Sequence, residues 1–397
     1  MTQRKLKIVY LLGKGYSSWA VQIAKSMHEK GHEIVIACPE DGPITRLDGD
    51  NLRSQIIHFP NRIFDVARIT RSILELVRFL KAYQADVVHY FLPPVTLWGR
   101  IAAWMVAVPV RACQLSGPWH LELPLYRFLE ISTAWMDTNI IASSRALQEI
   151  YLRYPHTRNK VSLSYFGTLL APFDAALPSS PVRAELGLDC DQPVVGLIAY
   201  MYPPIKHFNA TLGIKGHEIF LQAAREIAGA DSRVKFLIVG DEPLVDGRPV
   251  WGGAYRAKLE QMAADLGLTG RVIFTGHRSD VARMLAAVDV VAVPSLSENV
   301  GGAIEPLLME KPVVASQVGG LPDVVIDGET GFLVPPRDSH RLAQALLQVL
   351  ALPNEQRQWM GRRGREIVTN LFDLDKTTAQ LETLYYARLS HIRPTTI

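Results

Sequence analysis

Short apolar runs rich in Val and Ile, most of them separated by helical stretches, come in two successive series, and this alternation restricts the fold more than any other feature. The first series is KIVYLL (7–12), EIVIAC (33–38), DVVHYF (86–91), VRACQL (110–115), TNIIAS (138–143) and VSLSYF (161–166). The second is VVGLIA (194–199), VKFLIVG (234–240), VIFTG (272–276), VDVVAV (288–293), VVAS (313–316) and GFLV (331–334). Strands that alternate with helices build parallel sheets covered on both faces. The expected fold is therefore α/β, with two Rossmann-like doubly wound domains in succession. Such sheets bind ligands beyond the carboxyl ends of their strands. A Pro-, Ala- and Ser-rich stretch without periodicity, APFDAALPSSP (171–181), marks the linker. It separates an amino-terminal domain over 1–175 from a carboxyl-terminal one over 182–372, with a last helix and tail over 373–397. In that helix Ala379, Leu381, Leu384, Tyr385 and Leu389 make a broad apolar face that must pack on something, expectedly across both domains.

A chain of 397 residues has room for two such domains, and 48% hydrophobic with 20% charged residues fits an ordinary globular protein. Cys38, Cys113 and Cys190 are far apart and form neither a metal spacing nor a disulfide framework, which suits a reducing cytoplasm. The first apolar run, Ile8 to Leu12, is too short for a signal peptide, and the longest, Ile101 to Val110, is too short to span a bilayer. Charge is uneven: residues 1–180 carry 20 Lys+Arg against 14 Asp+Glu, and the remainder carries 22 against 25. A basic amino-terminal half fits peripheral contact with an anionic membrane surface or an acidic acceptor, and fits equally a surface charged for solubility. No nucleic-acid partner is expected.

The chemistry concentrates in VPSLSENVGGAIEPLLMEKPVVASQVGGLP (293–322). A strand turns at Pro294, crosses a polar loop, and enters a helix at Gly301-Gly302. The open N–H groups of a helix start, with the positive end of its dipole, suit a phosphate. Glu298 and Glu305 flank that start, and carboxylates beside a phosphate site are suited to hydroxyls. Phosphate donors and hydroxyl acceptors together point to a nucleotide sugar. Pro306 is tolerated in a first turn, so the helix is expected to begin near Ala303–Pro306. Lys215, after a strand's carboxyl end and before Gly216, is placed to neutralise charge on a leaving diphosphate. In the amino-terminal half, the GKG turn at 13–15 puts Gly15 toward a substrate or merely closes a tight strand-to-helix connection. His120 in SGPWH either binds an acceptor hydroxyl or packs against Trp119. Arg62 to Lys81 reads as a sheet-covering helix with a solvated basic face, in preference to one lying on a membrane.

The second series carries motifs that resemble the GT-B glycosyltransferases of family 4, over nearly all of residues 190–390. KGH (215–217), VGDEP (239–243), FTGHRSDV (274–281), AAVDVVAVPS (286–295), the Glu298–Glu305 stretch, GGLPDVVIDGETGFLVPPRD (319–338) and FDLDKTTAQLETLY (372–385) occur in the family's order. The amino-terminal half resembles the family in architecture and in GHEIVIACPEDG (31–42) and DVVHYFLP (86–93). The resemblance implies two domains facing across a cleft and a final helix crossing back to the first. It implies an acceptor in the amino-terminal domain and a nucleoside-diphosphate sugar in the carboxyl-terminal one. It also implies retention of configuration, no obligatory metal or other cofactor, and no enzymic nucleophile. By the same resemblance Lys215 holds the diphosphate, and Asn299, Val300, Gly301 and Gly302 present amides to the distal phosphate. Glu305 then takes the ribose, Glu298 lies near the sugar ring, and the main chain at His277 and Arg278 reads the base. Gly240, Asp241 and Glu242 fall near the same cleft. No Asp-x-Asp follows a strand, in keeping with metal independence.

The sequence departs from the family in several places, one of them Pro306, which stands where the family usually has alanine. Six residues rather than seven separate the two glutamates, which puts Glu298 out of its usual contact or shortens the loop. The arginine usual after the first strand of this domain is Tyr200, and Lys206 in an insertion (202–214) is a substitute source of charge. A second insertion falls near 245–256. The expected activity is transfer of a hexosyl-type sugar to the hydroxyl of a glycan, lipid-linked or small-molecule acceptor. The alternatives are a nucleotide-sugar epimerase of the same architecture and a non-catalytic sugar-binding relative.

Overall fold

The computed structural model describes residues 4–13, 18–39, 52–59, 65–92, 95–205, 211–245 and 248–392. Gly15 and Lys206, named above, lie outside them. The chain forms two compact units, Met1–Leu169 with Leu371–Ile397, and Leu170–Asn370. The boundary precedes the 171–181 stretch, whose last residues open a helix at Ser180–Glu185 with Pro181 in its first turn.

Among the described residues of the first unit, seven parallel strands are β1 (Lys7–Leu11), β2 (Glu33–Cys38), β3 (Arg53–Ile56), β4 (Val87–Tyr90), β5 (Val110–Cys113), β6 (Asn139–Ala142) and β7 (Val161–Leu163). Their order is β3-β2-β1-β4-β5-β6-β7. Strand β1 shows why its residues read as one apolar run. Val9 and Leu11 enter the core on one face, and Ile8 and Tyr10 the core on the other. Strand β3 has the sequence RSQI and is mostly exposed, as an edge strand tolerates; its polarity hides it from a search for apolar runs. The helix expected over Arg62–Lys81 is Val66–Tyr83, started by the Asp65 side chain, which accepts from the Arg68 amide. It buries Ile69, Ser72, Leu76 and Leu80, so it covers the sheet.

The last helix, Leu374–Ile392, belongs to this unit. Its Leu381 and Tyr385 are fully buried in the core that holds Ile8 and Tyr10, and the Tyr385 hydroxyl lies 2.6 Å from His89 Nδ1. A Cβ on Gly167 would strike the backbone of Leu374, so only glycine lets the two segments approach this closely. Deeper in the unit, Arg100 is fully buried; it donates to Glu130 at 2.5 Å and to Asp137 at 3.0 Å. Cys113, Glu130 and Asp137 have ligand atoms within 4.8 Å of one another, but the guanidinium already supplies the compensating cation. Among the described residues no helix is long and apolar enough to cross a membrane.

In the second unit the strands are β8 (Val194–Ile198), β9 (Lys235–Val239), β10 (Leu244–Val245), β11 (Arg248–Pro249), β12 (Val272–Gly276), β13 (Val290–Val293), β14 (Val313–Ser316) and β15 (Gly331–Val334). Six form a parallel sheet in the order β12-β9-β8-β13-β14-β15. Strands β10 and β11 form an antiparallel ribbon, too short to be seen as apolar runs. Strand order reverses between β8 and β13, and that reversal fixes where a crevice opens.

Candidate nucleotide-sugar site

At the carboxyl ends of β8 and β13 lies a cavity of about 360 Å³. Leu197 to Tyr200 and Val293 to Ser295 form two of its sides, and Lys215, Glu298, Gly301, Gly302 and Glu305 line it. Residues 83 apart in sequence converge because their loops touch backbone to backbone. The Leu296 amide donates to the Ile214 carbonyl at 2.8 Å. Gly216 has φ 72°, and a Cβ there would run into the Pro294 carbonyl. Glycine is thus required twice over, by conformation and by contact.

The Lys215 ammonium donates to Glu298 Oε2. Ser295 Oγ donates to the same oxygen at 3.3 Å, and the Asn299 amide donates to Oε1 at 3.1 Å. The carboxylate lies against the helix start: an ideal Cβ on Gly302 would be 3.5 Å from Oε2, and one on Gly301 would be 4.0 Å from Oε1. Cation, dipole end and glycine backbone therefore meet at one anion, and that anion is the protein's own side chain. The helix runs Gly301–Leu308 with Pro306 inside it. The expected start at Ala303–Pro306 is corrected to Gly301. Pro306 cannot donate to the Gly302 carbonyl; the helix is short enough to tolerate the loss and ends at Met309, whose amide bonds the Glu305 carbonyl at 3.1 Å. Glu305 follows one turn in, and burial raises its carboxyl pKa above the ordinary value.

The other expected residues divide. Gly240, His277 and Arg278 line the cavity, and Tyr200 packs on the His277 ring at 5.9 Å. Gly240 has φ 134°, and a Cβ there would strike the Ala199 carbonyl. The Arg278 guanidinium is held by Asp280 (2.7 Å) and Glu185 (2.8 Å), so its charge is already matched. Asp241, Asn299 and Val300 do not line the cavity. Asp241 pairs with Arg256, and Val300 is buried at the helix cap. Glu242 is a buried anchor rather than a ligand group. Its carboxylate accepts from the amides of Trp251 (3.1 Å), Gly253 (3.0 Å) and Tyr255 (2.8 Å), tying down residues 251–255 and the start of the helix Ala254–Asp265.

His217 of the KGH motif is fully buried, and burial lowers its pKa to about 3. His120 belongs to the first unit, also buried, with its ring centroid 3.6 Å from that of Trp119. Burial lowers its pKa to about 3, so the imidazole is neutral near pH 7. Ser295 escaped the sequence reading, although a hydroxyl three residues before Glu298 was the available signal.

The family model described as Glycosyl transferases group 1 matches residues 207–367, and the one described as Glycosyl transferase 4-like domain matches residues 14–164. The fold is similar to that of Anabaena HepE in complex with UDP, with TM-score 0.79, 21% identity and coverage of 96% of this chain and 100% of that one. It is also similar to a glycosyltransferase from Rickettsia africae, with TM-score 0.81, 18% identity and coverage of 98% and 99%. The chain belongs to the GT-B glycosyltransferases of family 4. This glycosyltransferase is 25% identical, over 97% of both chains, to the UDP-Gal:alpha-D-GlcNAc-diphosphoundecaprenol alpha-1,3-galactosyltransferase of Escherichia coli. It is 29% identical to the D-inositol 3-phosphate glycosyltransferase of Mycolicibacterium vanbaalenii, over 78% of this chain and 67% of that one. Its donor is a nucleotide sugar.

Proposed function

We propose that this glycosyltransferase moves a hexosyl group from a uridine-diphosphate sugar to the hydroxyl of a lipid-linked glycan, with retention of configuration and without a metal. One observation carries the reading: Lys215, the Gly301–Gly302 helix start and Glu305 share one cavity at the switch point of the second sheet. The diphosphate replaces the Glu298 carboxylate on Lys215 and the helix start, and Glu305 accepts from the ribose hydroxyls. Released from the cation, Glu298 turns to the sugar. The bond from the anomeric carbon to the diphosphate oxygen breaks, and the acceptor oxygen bonds to that carbon on the same face. The acceptor's proton passes to the departing diphosphate oxygen, so no enzymic base or nucleophile is needed. Lys215 and the helix dipole supply the positive charge a metal would otherwise provide.

The uridine base, the hexose and the lipid-linked acceptor are supported by the name of the Escherichia coli relative, which aligns along both chains. Such an acceptor places the reaction at the cytoplasmic membrane surface, with the first unit binding the acceptor. A thermal-shift screen against UDP, GDP, ADP and TDP tests the donor, because a ligand bound only by the native state raises the melting temperature. UDP is expected to give the largest shift. Turnover of a UDP-hexose with chelator present, and the anomeric configuration of the product by NMR, then test the rest. A shift with another nucleotide alone, an inverted product, or loss of turnover on chelation would each remove the corresponding part.

A further inference from the structure

In the first unit, three neighbouring elements expose large apolar side chains on one surface. The helix Val95–Met105 ends with Trp104 and Met105 exposed by 45% and 52%. The helix Pro124–Thr133 exposes Leu125 (49%) and Phe128 (67%), and the turn Ala134–Met136 that continues it exposes Trp135 (48%). Positions 125, 128 and 135 recur at helical spacing, while Glu130, Ile131 and Ala134 between them point into the core. Trp104 and Trp135 meet edge to face at 5.5 Å, which joins the elements into one patch. The exposure of Trp104 is fixed by the chain's exit: Ala107 takes φ 54° and its amide closes back on the Trp104 carbonyl at 3.0 Å.

Basic side chains border this patch. Lys160 Nζ donates to the Trp135 carbonyl at 2.8 Å, and Arg111 Nε to the Met136 carbonyl at 2.6 Å. Arg127 is exposed between Leu125 and Phe128. Between Val95 and Lys160 the chain has seven Arg+Lys and four Asp+Glu; the buried network takes Arg100, Glu130 and Asp137, leaving six bases to two acids. A second copy of this chain on the patch would bring like charges together. Tryptophans flanked by bases suit the headgroup layer of an anionic bilayer, which takes indole rings at its interface and attracts Lys and Arg. We propose that Trp104, Met105, Leu125, Phe128 and Trp135, ringed by Arg111, Arg127 and Lys160, form the surface by which this enzyme docks on an anionic lipid bilayer. The surface extends the lipid-linked acceptor reading without needing it, since vesicle binding requires neither donor nor acceptor.

Flotation of the full chain with vesicles of phosphatidylcholine, alone or with phosphatidylglycerol, tests the proposal. The wild-type chain is expected to float with the anionic vesicles, to be released by salt, and to ignore the neutral ones. The variant Trp104→Ser/Phe128→Ser/Trp135→Ser is expected to lose binding by roughly tenfold or more, and Arg127→Glu by about fivefold on anionic vesicles only. Because the triple variant can fail to fold, brominated lipids provide a second measurement. Their quenching of wild-type tryptophan fluorescence should largely vanish in the conservative variant Trp104→Phe/Trp135→Phe. Absence of wild-type flotation on anionic vesicles, or a folded triple variant that floats like wild type, would overturn the proposal. A dimer dissolved by the same substitutions, without vesicle binding, would overturn it in favour of a second copy. Either result leaves donor binding in the second unit untouched, so the two readings fail separately.

Discussion

Replacing Lys215 by alanine should lower kcat by roughly 30- to 150-fold while changing UDP affinity by less than about tenfold. The asymmetry follows from the ion pair. In the free protein Lys215 already has an anionic partner in Glu298, and a diphosphate gains that ammonium only by displacing the carboxylate. One contact is exchanged for another of the same kind, so little of it appears in ground-state binding. The transition state differs, because negative charge grows on the departing diphosphate and Glu298 has no counterpart to that growth. The Lys215 side chain is 23% exposed, which suggests an effective dielectric constant of about 20. A full charge about 3 Å away then interacts by about 5 kcal/mol, and roughly half a charge of growth contributes about 2–3 kcal/mol. Isothermal titration with UDP and steady-state release of UDP at saturating donor separate the two effects. The fold should survive, since Glu298 keeps the Ser295 hydroxyl and the Asn299 amide. A variant whose UDP affinity collapses while kcat stays within threefold of wild type (~0.6 kcal/mol) would refute the exchange argument. One with unchanged kinetics would remove Lys215 from the reaction altogether.

Three further outcomes follow from the geometry. A Cβ on Gly301 meets nothing of the protein nearer than Glu298 Oε1, so Gly301→Ala should keep its melting temperature but bind UDP more weakly, whereas Gly216→Ala should unfold at markedly lower temperature. Both are read by thermal melts with and without UDP, and equal UDP shifts in wild type and Gly301→Ala would place the phosphates elsewhere. Burial raises the Glu305 pKa, so its ionised form costs stability, and that cost appears as pH rises through the raised value and vanishes well below it. Glu305→Gln should therefore melt higher than wild type at neutral pH, lose the advantage in acid, and bind UDP less tightly; a lower melting temperature at neutral pH would contradict the desolvation argument. Glu242→Ala leaves three amides without their carboxylate and should cost about 3 kcal/mol or more, a fall of roughly 6–12 °C for a unit of this size; a melting temperature unchanged by differential scanning calorimetry would deny the anchor.

Both parallel sheets were legible because a strand buried on two faces must be apolar along its whole length, as Ile8 to Leu11 are. Strand β3 was not, because an edge strand with sequence RSQI owes its place to hydrogen bonds with β2 rather than to burial. In the site, residue types at a strand's end and a helix's start made Lys215, Gly301, Gly302 and Glu305 legible. What those residues do to one another was not, since sequence spacing carries no information on contacts such as Lys215 with Glu298 or Arg278 with Glu185. The KGH motif likewise draws the eye to His217, yet the residue serves packing, and only its burial reveals that. Asp241 and Glu242 looked like ligand groups for the same reason: a carboxylate's partner, whether Arg256 or three amides, comes from loops whose path the residue types do not dictate.

The return of residues 371–397 to the first unit has a consequence for how the polypeptide is made. The sheet that holds Ile8 and Tyr10 is translated before the second unit, but the side chains that close its core, Leu381 and Tyr385, are translated after it. The second unit can finish folding on the ribosome while the first still shows open apolar surface. Nascent chains arrested before Leu381 should therefore engage chaperones through the first unit's open sheet, and removing the helix Leu374–Ile392 should injure β1, far from it in sequence.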